Sequence, residues 1–355
     1  MGLKILHSAD WHLDSPFSGF PEAAREQLRR VQRRLPEQIV RLCREENCDI
    51  LLLAGDVFDG TPSRETVAGL KSALGSCGVP VFISPGNHDF CGPGSPWLEE
   101  SWPDNVHVFT GGVEPVVLPE LNCRVYGAGY RSMDCPGLLE GFRAEGEERY
   151  CLGVFHADPT QRSSPYSPVT AAQIRDSGFD YLALGHIHKA GALRCGATLC
   201  AWPGCPMGRG WDETGETGVY LVTLEETAAV RKLPLDTVRF YDLEVQIGAD
   251  PVSSLEAALP AAADDHFYRV TLKGRGSVDL PKLKARFSGF TNLQLLDETR
   301  PPLPLWEQAG EDTLRGVYFR LLREAAQEDP KNADRIRLAA EISQMLLQGE
   351  EVALP

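Results

Sequence analysis

No apolar run in the 355-residue chain approaches the roughly 20 residues that a membrane-spanning helix requires. Met1-Gly2-Leu3-Lys4 leads straight into a strand-like run instead of a signal peptide, so a cytoplasmic protein with no membrane contact is expected. Paired cysteines are lacking as well. The ten cysteines (Cys43, Cys48, Cys77, Cys91, Cys123, Cys135, Cys151, Cys195, Cys200 and Cys205) show no C-x-x-C pair and no zinc-ribbon spacing, which leaves free, mostly buried thiols as the expectation. Positive charge is short: 35 Lys and Arg against 50 Asp and Glu give a net charge of −15, which argues against a protein that coats nucleic acid by itself. It does not exclude a DNA substrate. Part of the acid surplus is Asp10, Asp56 and their neighbours, which bound cations would neutralise. No internal repeat or low-complexity tract is evident.

What is present reads as globular: 43% apolar and 24% charged residues suffice for one large domain plus smaller appendages. Short apolar runs at Leu3 to Ser8, Ile50 to Ala54, Val81 to Ser84, Leu152 to Phe155, Tyr181 to Leu184 and Gly218 to Thr223 have the look of buried strands that open into polar loops. Helix-like stretches lie between them, notably Glu22 to Glu46, which Pro36 should kink or break, and Arg64 to Gly75. Alternating strands and helices predict an α/β domain over residues 1–230. A second, smaller α/β unit is expected over 235–300, with strands at Arg239 to Ile247, Phe267 to Lys273 and Asn292 to Leu296 and helices at Ser253 to Ala261 and Leu280 to Phe287. Pro301-Pro302-Leu303-Pro304 reads as a stiff linker. Beyond it, Leu314, Val317, Tyr318, Leu321 and Leu322, then Ile336, Ala339, Ile342, Met345 and Leu346, predict two amphipathic helices within 311–348. These either pack on the same chain or hold a partner.

Chemistry concentrates in Asp10-Trp11-His12, Gly55-Asp56, Gly86-Asn87-His88-Asp89, His156 and Gly185-His186-Ile187-His188, each directly after a predicted strand. Loops at the carboxyl ends of strands are where ligands gather in open α/β sheets. The i, i+2 spacing of Asp10 with His12 and of His186 with His188 puts both side chains on one face if the chain stays extended. Carboxylate, imidazole and amide oxygen together suit Mn²⁺, Fe²⁺ or Zn²⁺, and the lack of cysteine disfavours structural zinc. Asp10, His12, Asp56, Asn87, His156, His186 and His188 are too many donors for one ion with an open position. The economical arrangement is two ions about 3.5–4 Å apart that share a carboxylate, Asp56 being the natural bridge. Such a pair would activate water and clamp a phosphate, which is phosphoester hydrolysis. His88 is placed to stabilise the transition state or protonate the leaving oxygen, with Asp89 as its candidate orienting partner.

In this order, Asp10-x-His12, Gly55-Asp56, Gly86-Asn87-His88-Asp89, His156 and Gly185-His186-x-His188 resemble the calcineurin-like metallophosphoesterase superfamily. The resemblance implies a two-sheet sandwich flanked by helices, with one metal on Asp10, His12, Asp56 and His188, the other on Asp56, Asn87, His156 and His186, and His88 as the catalytic histidine. His7-Ser8-Ala9-Asp10-Trp11-His12-Leu13-Asp14-Ser15-Pro16-Phe17, Gly55-Asp56-Val57-Phe58-Asp59, and Trp202-Pro203-Gly204 followed by Gly215-Glu216-Thr217-Gly218 resemble the DNA-repair exonuclease branch, which holds the D subunit of bacterial SbcCD and its YhaO-like relatives. That branch implies a manganese-dependent exonuclease with endonuclease capacity, a capping domain that guides DNA, C-terminal helices that grip an SMC-like coiled-coil ATPase of the SbcC or YhaN kind, and a two-fold homodimer. Asp14 stands where many D subunits carry Gly, and His156-Ala157-Asp158 replaces the commoner His-Gly; both point to the YhaO-like side. The rival readings are a phosphatase or small-molecule phosphodiesterase on the same core, and a subunit that mainly tethers DNA.

Arg25, Arg29, Arg30, Arg33 and Arg34 crowd one helix-like segment and could hold a DNA backbone, Arg29, Arg30 and Arg33 above all. A solvated helix face balanced by Glu22 and Glu26 accounts for them equally well. Trp11, Phe17 and Phe90 could wedge against unpaired bases or simply form walls and core. His7, inside the first strand, reads as a core histidine, and His107 and His266 show no ligand partners nearby.

Overall fold

The computed structural model describes residues 2–248, 250–260, 266–301 and 303–349; Met1, Ala261 of the expected second-unit helix and Pro302 of the expected linker lie outside them. The chain forms two compact units, residues 1–242 with 263–268, and residues 243–262 with 269–355.

The first unit begins with β1 (Leu3–Ser8), the helices α1 (Glu22–Gln32) and α2 (Leu35–Glu45), β2 (Ile50–Leu53), α3 (Arg64–Gly75), β3 (Val81–Ile83), the short α4 (Pro96–Glu99) and β4 (Val106–Val108). Pro36 sits in the first turn of α2, where a missing N–H costs nothing, and the helical stretch breaks just before it. A second sheet follows: β5 (Glu114–Leu118), β6 (Cys123–Gly127), β7 (Tyr150–His156), α5 (Ala171–Asp176), β8 (Tyr181–Gly185), β9 (Gly191–Cys195) and β10 (Thr198–Trp202). The chain then returns to the first sheet with β11 (Gly218–Leu224) and β12 (Ala228–Pro234). The orders are β12-β11-β1-β2-β3-β4 and β5-β6-β7-β8-β10-β9. β1 to β4 run parallel, as do β6, β7, β8 and β10, while β5, β9, β11 and β12 join antiparallel.

Parallel strands buried on both faces read as unbroken apolar runs, and the alternation within those runs sets the layers. Ile5, Ile50 and Leu52 face the other sheet and pack with Val125, Leu152, Val154, Tyr181 and Ala183. Leu6, Leu51 and Leu53 face outward and pack with Ile39, Val40, Leu70 and Leu74 of α2 and α3. On the far side, Phe155, Leu182 and Leu184 are covered by Ile174 and Phe179. The unit is therefore a two-sheet α/β sandwich flanked by helices. All ten cysteines are free and all but Cys151 are buried.

A three-stranded sheet follows, β13 (Phe240–Gln246), β14 (Phe267–Lys273) and β15 (Asn292–Asp297); the second unit takes β13 from Leu243, β14 from Arg269 and all of β15, with α6 (Pro251–Ala258) and α7 (Leu280–Arg286). The two terminal helices α8 (Leu314–Glu328) and α9 (Ala333–Leu347) pair with each other. Leu305, Ala309, Phe319 and Ala340 form a small core that Leu303 and Trp306 flank, so the proline-rich segment joins that packing. No helix among the described residues is long and apolar enough to cross a membrane.

Candidate metal centre

Asp10 and His12 follow β1, Asp56 follows β2, Asn87 and His88 follow β3, His156 ends β7, and His186 and His188 follow β8. The loops after β1 and β2 are laced beyond the strands, with the amides of Asp10, His12 and Leu13 donating to the carbonyls of Gly55, Asp56 and Val57 at 3.0, 2.9 and 2.8 Å. Gln32 at the end of α1 is buried, and its Nε2 donates to the His12 carbonyl at 2.7 Å. Asp10, His12, Asp56 and His186 adopt φ of 55°, 47°, 48° and 94°, a left-handed conformation that costs energy in residues with side chains and tends to gather at functional sites. The two sheets meet at this edge across glycines. A Cβ on Gly86 would run into Asp56 and the His156 ring, and one on Gly185 would strike the Ala54 carbonyl and come within 2.9 Å of the Ala9 Cβ.

Each carboxylate commits one oxygen to the backbone and turns the other inward. Asp10 Oδ1 accepts the His186 amide at 2.9 Å, and its Oδ2 is buried without a hydrogen-bond partner. Asp56 Oδ1 accepts the His88 amide at 2.9 Å, while its Oδ2 lies 3.7 Å from His12 Nε2 and 3.4 Å from His156 Nε2. The imidazoles are set in the same way. His156 gives its Nδ1–H to the Ala54 carbonyl at 3.1 Å, so its Nε2 carries the lone pair, and that atom faces the Asn87 carbonyl oxygen at 2.9 Å. His188 gives its Nδ1–H to Glu213 at 2.8 Å and turns Nε2 toward His12 Nε2 at 3.3 Å. At His156 Nε2 and the Asn87 oxygen, acceptor faces acceptor, which is unfavourable unless a cation lies between them, so the donor set fits divalent metal ions. The His186 ring stands 5.2 Å from that of His156 and 4.8 Å from that of Tyr166.

Burial governs the protonation of these groups. It raises Asp10 and Asp56 above the ordinary carboxylate range, Asp56 further through the neighbouring Asp89 and Asp10. It pushes His12 down to about 3 and holds His156 well below the usual imidazole value. Neutral imidazole is the form that binds metal.

The sequence model of the calcineurin-like phosphoesterase family matches residues 3–190, more than half of the chain and the part that carries all seven donors. The chain belongs to the calcineurin-like phosphoesterase family. It is 33% identical over 237 residues to the metallophosphoesterase YhaO of Bacillus subtilis (strain 168), across 62% of this chain and 57% of that protein. The chain thus spans little more than half of that relative's length. Among solved structures, TT1561 of Thermus thermophilus matches 65% of this chain and 99% of its own, with a TM-score of 0.40 and 14% identity. A dimetal phosphatase from Danio rerio matches 65% of this chain and 96% of its own, with a TM-score of 0.43 and 14% identity.

His88 stands at the rim, its side chain 45% exposed, with its ring 4.7 Å from that of His12. Its expected pairing with Asp89 is not what the structure holds. Asp89 is buried and accepts the amides of Gly86, Val57 and Phe58 at 2.7, 2.8 and 3.3 Å, so it braces the loops from beneath. Asp59 takes the orienting place: its Oδ1 accepts the His88 Nδ1–H at 2.9 Å and lies 3.5 Å from His12 Nδ1. Burial works against the charge of Asp59, but the His12 and His88 contacts outweigh it and hold its carboxyl below the usual range. Sequence reasoning also passed over Glu213 and Arg209. Burial opposes the charge of Glu213, yet His188 and Arg209 bring its pKa down to about 2. The Gly55-Asp56-Val57-Phe58-Asp59 run carried a signal for Asp59, whereas nothing local marked the pair at 209 and 213.

The arginines of α1 are not drawn into the metal cluster. Arg25 pairs with Glu22, Arg29 donates to the Pro16 carbonyl at 3.2 Å, and Arg30 and Arg33 are exposed. Trp11 and Phe17 are buried and cannot wedge between bases; Trp11 donates to Ser8 at 2.7 Å, and Phe17 packs with Leu28, Met207 and Phe240. Phe90 is half-buried and lines a cleft with His88, Gly60, Thr61 and residues 92–96.

Proposed function

We propose that this chain is a metal-dependent phosphoesterase, a two-metal nuclease that hydrolyses DNA phosphodiester bonds with manganese in the cytoplasm, as part of DNA repair beside an SMC-like coiled-coil ATPase. The observation that carries the two-metal reading is Asp56 Oδ2, set between His12 Nε2 and His156 Nε2, which belong to different donor groups. Asp10, His12, Asp56 and His188 would hold one ion, and Asp56, Asn87, His156 and His186 the other. Bound divalent ions would supply the positive charge that clamps a phosphate and makes a water acidic enough to attack it. His88 would contribute the proton as its imidazolium: with Nδ1–H committed to Asp59, the second proton sits on Nε2, the atom left to face the leaving oxygen, and its transfer leaves the neutral ring.

Three features support DNA as the substrate and an ATPase as the partner. Phe90 offers a ring in the cleft beside His88 on which an unpaired base could stack. Exposed Arg30 and Arg33 could bind backbone phosphates. Leu314, Val317, Tyr318 and Leu321 of α8 and Leu338, Leu346 and Leu347 of α9 are exposed and apolar, the kind of surface a coiled coil covers. The unit that holds residues 243–262 and 269–355 would combine the capping role with this grip, and the core helices would build a two-fold homodimer.

The other reading is a phosphatase or small-molecule phosphodiesterase. It is favoured by the absence of Lys and Arg among the residues that line the cleft beside His88. Purified protein with Mn²⁺, given linear DNA and a nucleotide monoester side by side, separates the two. DNA should be degraded, and strong turnover of the monoester with no cutting of DNA would reject the nuclease reading.

A further inference from the structure

Glu213 and Arg209 lie in the connection between β10 and β11, beyond the segment that matches the family. The Glu213 side chain is only 7% exposed, and both of its oxygens are used. Oε1 accepts from His188 Nδ1 at 2.8 Å and from Arg209 Nη2 at 2.6 Å; Oε2 accepts from the Arg209 backbone amide at 2.9 Å and Nε at 3.3 Å. The carboxylate is therefore fixed from the Arg209 side and meets His188 with one oxygen. An imidazole whose Nδ1–H is committed must present its lone pair on Nε2, and that atom points to His12 Nε2 at 3.3 Å.

We infer that Glu213 is the positioning residue of one metal only, the one on Asp10, His12, Asp56 and His188, and that Arg209, whose Nη2 also lies 3.1 Å from His188 Nδ1, locks the carboxylate. The two halves of the centre differ in this respect. His156 in the other half gives its Nδ1–H to a backbone carbonyl, that of Ala54, which no side-chain substitution removes. A carboxylate partner both fixes the tautomer and makes the coordinating nitrogen more basic, and loss of such a partner costs about 10–100-fold in metal affinity. If the pair merely stapled its loop, its loss would lower stability and leave both metal affinities alone.

The inference rests on the two-metal reading, and the test separates the two. Wild type, Glu213→Ala, Glu213→Gln and Arg209→Lys are titrated with Mn²⁺ by calorimetry, metal content is measured after dialysis, and thermal midpoints are recorded in parallel. Wild type should bind two ions. Glu213→Ala should keep one of them at wild-type affinity and bind the other about 10–100-fold more weakly. Glu213→Gln, which keeps an acceptor for Nδ1–H, and Arg209→Lys should fall between. Two ions in Glu213→Ala at unchanged affinities, with only the thermal midpoint lowered, would overturn the inference alone; should that variant not fold, the same result in Glu213→Gln overturns it. Fewer than two ions in wild type would overturn the two-metal reading, and this inference with it.

Discussion

His88 donates its Nδ1–H to Asp59, 2.9 Å away, although Asp89 is its neighbour in sequence. The pairing leaves Nε2 as the one ring atom available to a substrate, and it makes Asp59 an orienting group at the edge of the cleft. His88→Ala should lower turnover about 10²–10⁴-fold, the usual contribution of a positioned acid or base, while metal content stays at the wild-type level. Asp59→Asn should fall between wild type and His88→Ala. Turnover and metal analysis on the same preparations check both, and loss of metal in His88→Ala would contradict the assignment.

Gly185 permits the two sheets to touch at the metal end, where an added methyl would meet the Ala54 carbonyl. Gly185→Ala should destabilise the protein by about 1–3 kcal/mol, seen as a lower urea midpoint with an unchanged slope. An unchanged midpoint would mean that the sheets have room to separate here.

The centre of the sandwich was legible because β1, β2, β3, β7 and β8 are largely buried on both faces and spell mostly apolar runs that lead into donors. The flanks were not. β5 reads Glu-Pro-Val-Val-Leu and β9 Gly-Ala-Leu-Arg-Cys, with exposed positions alternating, so each becomes a strand only against its neighbour β6 or β10. The seven donors fall at or just after strand ends, Asp56, Asn87 and His186 each directly after a glycine, and so announce themselves. Asp59 and Glu213 do not, because their roles depend on which side chain the fold brings opposite them. Glu213 meets His188 across 25 residues of chain.

His7 is fully buried, bonded through Nδ1 to the Tyr181 hydroxyl at 2.8 Å, and burial lowers its pKa to about 3. The unfolded chain binds this proton near pH 6.5 and the folded chain only near 3, so the contribution of His7 to stability is complete above pH 6.5 and lost as pH falls toward 3. His7→Gln should remove about 1.4 kcal/mol per pH unit from the slope of stability against pH within that window. Parallel slopes for the two proteins in urea titrations from pH 7 to 4 would contradict it.

Arg30 on α1 and Arg33 just past its end are exposed. If they meet a DNA backbone, replacing both with Glu should weaken DNA binding and reduce the slope of log affinity against log salt by about 2, with turnover of a small phosphodiester unchanged. Equal DNA affinity at all salt concentrations would assign them to the solvated helix face.

Two ions that share Asp56 are the feature on which the chemistry of this centre depends. Anomalous diffraction at the manganese edge from crystals grown with Mn²⁺ measures this. Two peaks are predicted, about 3.5–4 Å apart, one among Asp10, His12 and His188 and the other among Asn87, His156 and His186, with Asp56 between them. A single peak, or a pair that Asp56 does not bridge, would contradict it.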